Sequence, residues 1–157
     1  MDTRAALGDR IEALYRERGT SLHRSVLLYS GDREVAADAV AEAFAQAIRR
    51  GDAVDDPARW ITKAAFRIAA GELQRRRRHD YPLLDETYEM PEPTGALVDA
   101  LAKLSPKQRA AAVLHFRDGY TLAEVADLIG STPSAVGVHL HRARKRMLEL
   151  MGDDDDN

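Results

Sequence analysis

The sequence predicts an all-α protein of two small helical domains joined by a flexible linker, the second domain carrying a helix-turn-helix. Three observations lead there. Apolar residues recur three and four apart on both sides of residues 80–95, the spacing that lines one face of a helix. The intervening stretch breaks that period and holds three of the six prolines, Pro82, Pro91 and Pro93. Each removes a backbone donor and disfavours the helical conformation of its predecessor. Downstream, two capping boxes and a glycine turn follow one another at the distances a helix-turn-helix requires. The expected division is a first domain at 1–79, a linker at 80–95, a second domain at 96–151 and an acidic, disordered tail at 152–157.

The elements follow in order. Leu7, Ile11, Leu14 and Tyr15 share one face of a helix over 3–18, and a short second helix is expected over 21–29. Asp32 can cap a third helix reaching Arg50, with a stripe of Val35, Ala36, Ala39, Val40, Ala43, Phe44, Ala47 and Ile48. Its alanines allow close packing, and Gly51 ends it. Pro57 opens a fourth helix, whose buried stripe is Ile61, Ala64, Ala65, Ile68, Ala69 and Leu73. In the second domain, Ser105-Pro106-Lys107-Gln108 is a capping box with proline at the first helical position. Thr121 to Glu124 is another, Gly130 can close its helix in the left-handed conformation, and Thr132 and Pro133 start the last helix. That helix turns Val136, Leu140, Ala143, Met147 and Leu150 inward, where Leu122, Val125, Ala126 and Ile129 would pack on Val136 and Leu140.

Composition excludes several functions. The chain of 157 residues has no cysteine, so disulfides, thiolate zinc sites and cysteine nucleophiles are ruled out. No apolar run approaches the roughly 20 residues of a membrane span, and no signal peptide is read, so a cytoplasmic protein without membrane contact is expected. His139 and His141 stand two apart on one helix and diverge, so they cannot chelate a metal together. Glycine-rich phosphate loops and serine elbows are missing too. Neither an enzyme nor a metal or cofactor is expected. The net charge is −3, yet its distribution is uneven. Residues 60–79 carry six bases against Glu72, and residues 132–151 carry four against Glu149. Two basic patches in an acidic chain suit a nucleic-acid binder better than the sum suggests.

In the helix-turn-helix reading, the last helix enters the major groove and presents Ser134, Ala135, Val138, His141 and Arg142, with Lys145 extending the positive potential. Arg142 can reach a phosphate or a guanine edge, and Val138 can touch a thymine methyl. In the first domain, Arg59, Lys63, Arg67, Gln74 and Arg78 form a stripe opposite the buried face of the fourth helix, a surface that could track a nucleic-acid backbone. Trp60 and Phe66 are candidate stacking surfaces, Trp60 more readily a core anchor.

The segment LSPKQRAAAVLHFRDGYTLAEVADLIGSTPSAVGVHLHRARKRMLELM resembles the promoter-distal DNA-binding domain of bacterial sigma factors. ADAVAEAFAQAIRR and ARWITKAAFRIAAGELQRRRR resemble the promoter-proximal domain of the compact extracytoplasmic-function (ECF) class. The resemblance implies a protein that directs core RNA polymerase to promoters, with Asp38, Glu42 and Phe44 docking on the polymerase. It implies that the fourth helix captures unpaired bases of the proximal promoter element, and it leaves room for an anti-sigma factor as a further partner. This chain departs from the pattern at Ala41, Arg67, Gly71 and Gly137, which stand where glutamine, asparagine, aspartate and a base are usual. The alternative reading is a sigma-like helix-turn-helix regulator that has lost polymerase docking or promoter melting.

Overall fold

Helix α1 spans Thr3–Ser30 without a break, where the sequence suggests two helices. The computed structural model describes residues 3–51, 54–78 and 94–152. Gly19 lies inside α1 and costs about 1 kcal/mol relative to alanine. The helix continues through it because Leu7, Ile11, Val26 and Tyr29, on both sides of the glycine, are all buried on one side. Burial of that stripe outweighs the local penalty. Gly31 ends the helix at φ 68°, its amide donating to the Leu27 carbonyl at 2.8 Å.

Helix α2, Arg33–Arg50, starts where expected, because Asp32 accepts a hydrogen bond from the Val35 amide at 3.0 Å. Its stripe is buried from Val35 to Ala47, and small alanines bring α2 close to α1 and to α3, Pro57–Arg78. Ile48, expected at the end of that stripe, stands at its edge and is 52% exposed. Ile61, Ala64, Ala65 and Ala69 of α3 are buried, which completes a three-helix first lobe.

The second lobe opens with a helix the sequence reading missed. Helix α4, Thr94–Ala102, begins inside the expected linker and buries Val98 and Leu101. Helix α5, Pro106–Ala112, carries the expected capping box but does not run on as a regular helix. Val113–Arg117 forms a π-helical turn, in which the Asp118 amide reaches back to the Val113 carbonyl at 3.2 Å. Such turns insert one residue and re-aim those that follow. Here Arg117 and Asp118 meet α1. Helix α6, Leu122–Ile129, and helix α7, Pro133–Gly152, form the helix-turn-helix.

The lobes lie against each other, α3 on α6 and α1 on α4, α5 and the π turn. One apolar core runs from Leu7 and Ile11 through Phe66 to Leu128 and Val136. Most of the expected linker and the expected acidic tail lie outside the described residues. Among the described residues, no helix is long and apolar enough to cross a membrane.

Candidate nucleic-acid interface

The turn of the helix-turn-helix is fixed by local chemistry. Thr121 accepts from the Glu124 amide at 3.1 Å while the Glu124 carboxylate accepts from the Thr121 amide at 3.0 Å. Hydrogen bonding to the Thr121 backbone first, and then to the Thr121 side chain, holds the Glu124 carboxyl below its ordinary pKa. Gly130 adopts φ 66° and ψ 48°, a conformation that carries a steric cost for any residue with a Cβ. The Ser131 amide then donates to the Ala126 carbonyl at 2.8 Å, and Thr132 caps α7 by accepting from the Ala135 amide at 3.2 Å.

Burial of Val136, Leu140 and Ala143 against α6 and α5 sets the rotation of α7. The opposite face then carries Ser134, Val138, His141, Arg142 and Lys145, all exposed, with Ala135 half-buried beside them. Val138 keeps 48% of its surface in solvent, an apolar side chain standing among polar ones on that face. Among the described residues, neither Arg142 nor Lys145 has an acidic partner. Packing inside the motif differs in one respect from expectation. Leu122, the first residue of α6, is 40% exposed, whereas Leu128 is buried.

The basic stripe of α3 has a less open setting. Arg59 lies 3.5 Å from Glu124 and Lys63 lies 3.4 Å from Asp127, both acids on α6. Arg67 is exposed, and Arg78 is the last residue of the helix. Of the arginine run, Arg75 pairs with Glu72 and Arg76 bridges Asp32 and Glu72. Phe66, a candidate stacking surface, is 4% exposed and packs on Tyr29 with ring centroids 5.2 Å apart, so it faces no solvent in this arrangement. Trp60 is half-buried, with the Arg50 guanidinium 5.8 Å above its ring.

On α2, Asp38 and Glu42 are exposed on the side opposite the buried stripe. Glu42 accepts from Gln46 at 3.2 Å and from Arg49 at 2.7 Å, and these bonds hold its carboxyl below the ordinary range. Phe44 is different. It is 6% exposed, with its ring edge-on to Tyr15 at 5.1 Å, so it holds α1 against α2 and offers no surface to a partner. Sequence reasoning missed Arg109, which is 8% exposed and stacked 5.3 Å from the Tyr29 ring. Its position three and four residues before Ala112 and Val113, both buried, was the available signal.

The model of sigma-70 region 4 matches residues 94–147, which are α4 to most of α7. The ECF RNA polymerase sigma factor SigM of Mycobacterium tuberculosis is 31% identical over 92% of this chain and 80% of its own length. The fold is similar to that of the sigma factor RpoE of Bartonella quintana, solved with the anti-sigma factor NepR, at a TM-score of 0.76 and 19% identity, over 90% of this chain and 96% of that one. It is similar too to CnrH, solved with the cytosolic domain of CnrY, at a TM-score of 0.72 and 19% identity, over 98% and 99%. With a helix-turn-helix that turns its basic face outward and a match to SigM along nearly its whole length, the chain belongs to the ECF RNA polymerase sigma factors, which direct RNA polymerase to promoters by binding and not by catalysis.

Proposed function

We propose that the outer face of α7 reads the distal promoter element through Ser134, Ala135, Val138, His141, Arg142 and Lys145. Arg59, Lys63, Arg67 and Arg78 of α3 serve the proximal element, and Asp38 and Glu42 dock the protein on core polymerase in the cytoplasm. The observation that carries this reading is the outer row of α7, where an exposed valine stands among cations without acidic partners among the described residues. An apolar side chain between hydrogen-bonding ones is what readout of base edges and thymine methyls uses. Phe44 drops out of the docking set because of its burial. An anti-sigma factor is a further expected partner, since the neighbour RpoE was solved with the anti-sigma factor NepR.

Transcription of a genomic fragment library by purified core polymerase, with and without the protein, tests the function as a whole. The docking assignment has its own test. Asp38→Lys with Glu42→Lys should abolish co-elution with core polymerase while the circular-dichroism spectrum stays unchanged, because both side chains are exposed and neither holds the core. Retained co-elution would refute the assignment.

A further inference from the structure

Between the lobes lies a cleft of about 580 Å³, of whose lining only Lys63 and Arg67 belong to the surfaces assigned to promoter DNA. Its first wall is α3, contributing Lys63, Arg67 and Arg77, and its second is α5, contributing Lys107 and Arg109. Among the described residues, no carboxylate lines it. Lys63 is drawn toward Asp127 at 3.4 Å, while the other four cations have no acidic partner among the described residues. The rest of the lining is largely apolar, with Phe66, Ala70, Leu73 and Leu128.

Arg109 is the informative member. It is more than nine-tenths buried, and its Nε has no hydrogen-bond partner among the described residues. Taking a guanidinium out of water without supplying acceptors is strongly unfavourable. The Tyr29 ring, 5.3 Å away, offsets part of that cost but accepts no hydrogen bond in the guanidinium plane. Burial pushes the Arg109 pKa below its ordinary value, Tyr29 opposes that shift and the Arg77 charge adds to it. Five cations around a partly apolar space match a multiply charged anion with an apolar body. A guanidinium with free N–H groups suits phosphoryl oxygens in particular. The volume falls within the range of small-molecule sites.

From Arg109, Arg77, Lys107, Arg67 and Lys63 around this cleft we infer a binding site for a small phosphorylated anion of nucleotide size, seated between the two lobes. The anion bridges α3 and α5 and so favours the closed arrangement. Lys63 and Arg67 belong also to the stripe assigned to promoter DNA, so ligand and DNA compete for them. Binding itself does not depend on the DNA assignments.

Isothermal titration of the full chain with ATP and, separately, inorganic pyrophosphate tests this. Saturable one-to-one binding is expected for at least one probe, together with a melting temperature that rises with probe concentration. Arg109→Gln should weaken binding by about tenfold or more, the loss of one or two charge-assisted hydrogen bonds. Arg77→Gln, at an exposed position where folding is not at risk, should weaken it in the same direction. Arg144→Gln on α7, outside the cleft, should leave it unchanged. Absence of saturable binding overturns the proposal. Equal losses in the Arg77 and Arg144 variants overturn it too, since they would mark unspecific attraction. Protection of the cleft arginines by a short DNA strand but by neither free probe would assign the phosphate chemistry to DNA and overturn a small-ligand site.

Discussion

Ser25 shows how one side chain ties the two lobes. It is 1% exposed, on α1, at the point where the π turn arrives. Its Oγ lies 2.9 and 2.8 Å from the two carboxylate oxygens of Asp118 and 2.7 Å from Arg117 Nη1. A hydroxyl has one proton to give, so it donates to the carboxylate and accepts from the guanidinium. Arg117 also donates to Asp118 at 2.7 Å, which closes a three-membered network. Ser25→Ala removes the donor and leaves a half-buried carboxylate oxygen short of a partner. The expected loss is about 1–3 kcal/mol in urea unfolding, the cost of stranding a buried polar group. A change below about 0.5 kcal/mol, the level of an ordinary surface substitution, would show that water replaces the serine without cost. This network was not legible in the sequence. Residues 25 and 118 are 93 positions apart, and only the π turn brings them together.

At the level of elements, what could be read was what is local. The capping boxes at Ser105 and Thr121, the cap at Asp32 and the turn at Gly130 each follow from a few adjacent residues, and each stands as expected. The unbroken α1, helix α4 and the π turn could not be read in that way. They depend on burial against partners far along the chain, which overrides the glycine in α1 and rewards the short apolar set of α4. The exposed row of α7 was legible because helical period alone separates it from Val136, Leu140 and Ala143. The covered state of the α3 stripe was not, because α6 lies across it. Gly137 gives this a quantitative edge. It sits inside α7, and a Cβ built on it would meet nothing within 4 Å. Gly137→Ala should therefore stabilise the protein by about 0.8–1 kcal/mol, the helix-propensity difference alone. Gly137→Lys would add a base beside the reading face. The slope of log affinity against log salt for a promoter fragment should steepen by about one phosphate contact. An unchanged slope would place residue 137 away from the DNA backbone.

For the whole molecule, the closed arrangement and the proposed promoter contacts cannot both use the same side chains. Arg59 and Lys63 face Glu124 and Asp127, and Phe66 and Leu128 are buried where the lobes meet. The two ion pairs are roughly half-exposed, so each contributes at most about 1 kcal/mol and weakens with salt. Apolar burial between the lobes supplies the larger part of closure, at about 25 cal/mol per Å². The proposed promoter binding by α3 thus requires a partner whose contacts outweigh that burial, a part the proposal assigns to core polymerase and DNA together. The absence of cysteine makes the motion measurable, because two introduced cysteines are then the sole labelling sites. Ala37 on α2 and Ala123 on α6 are both exposed, one in each lobe. A dye pair there should transfer energy efficiently in the free protein, and moderate salt should change this little, since ion pairs are the minor term. Core polymerase with promoter DNA should lower the transfer efficiency as the lobes part, and Asp127→Asn should lower the amount of polymerase needed. Transfer that stays constant through saturation with both partners would mean that the lobes remain joined, and that α3 does not meet DNA through Arg59 and Lys63.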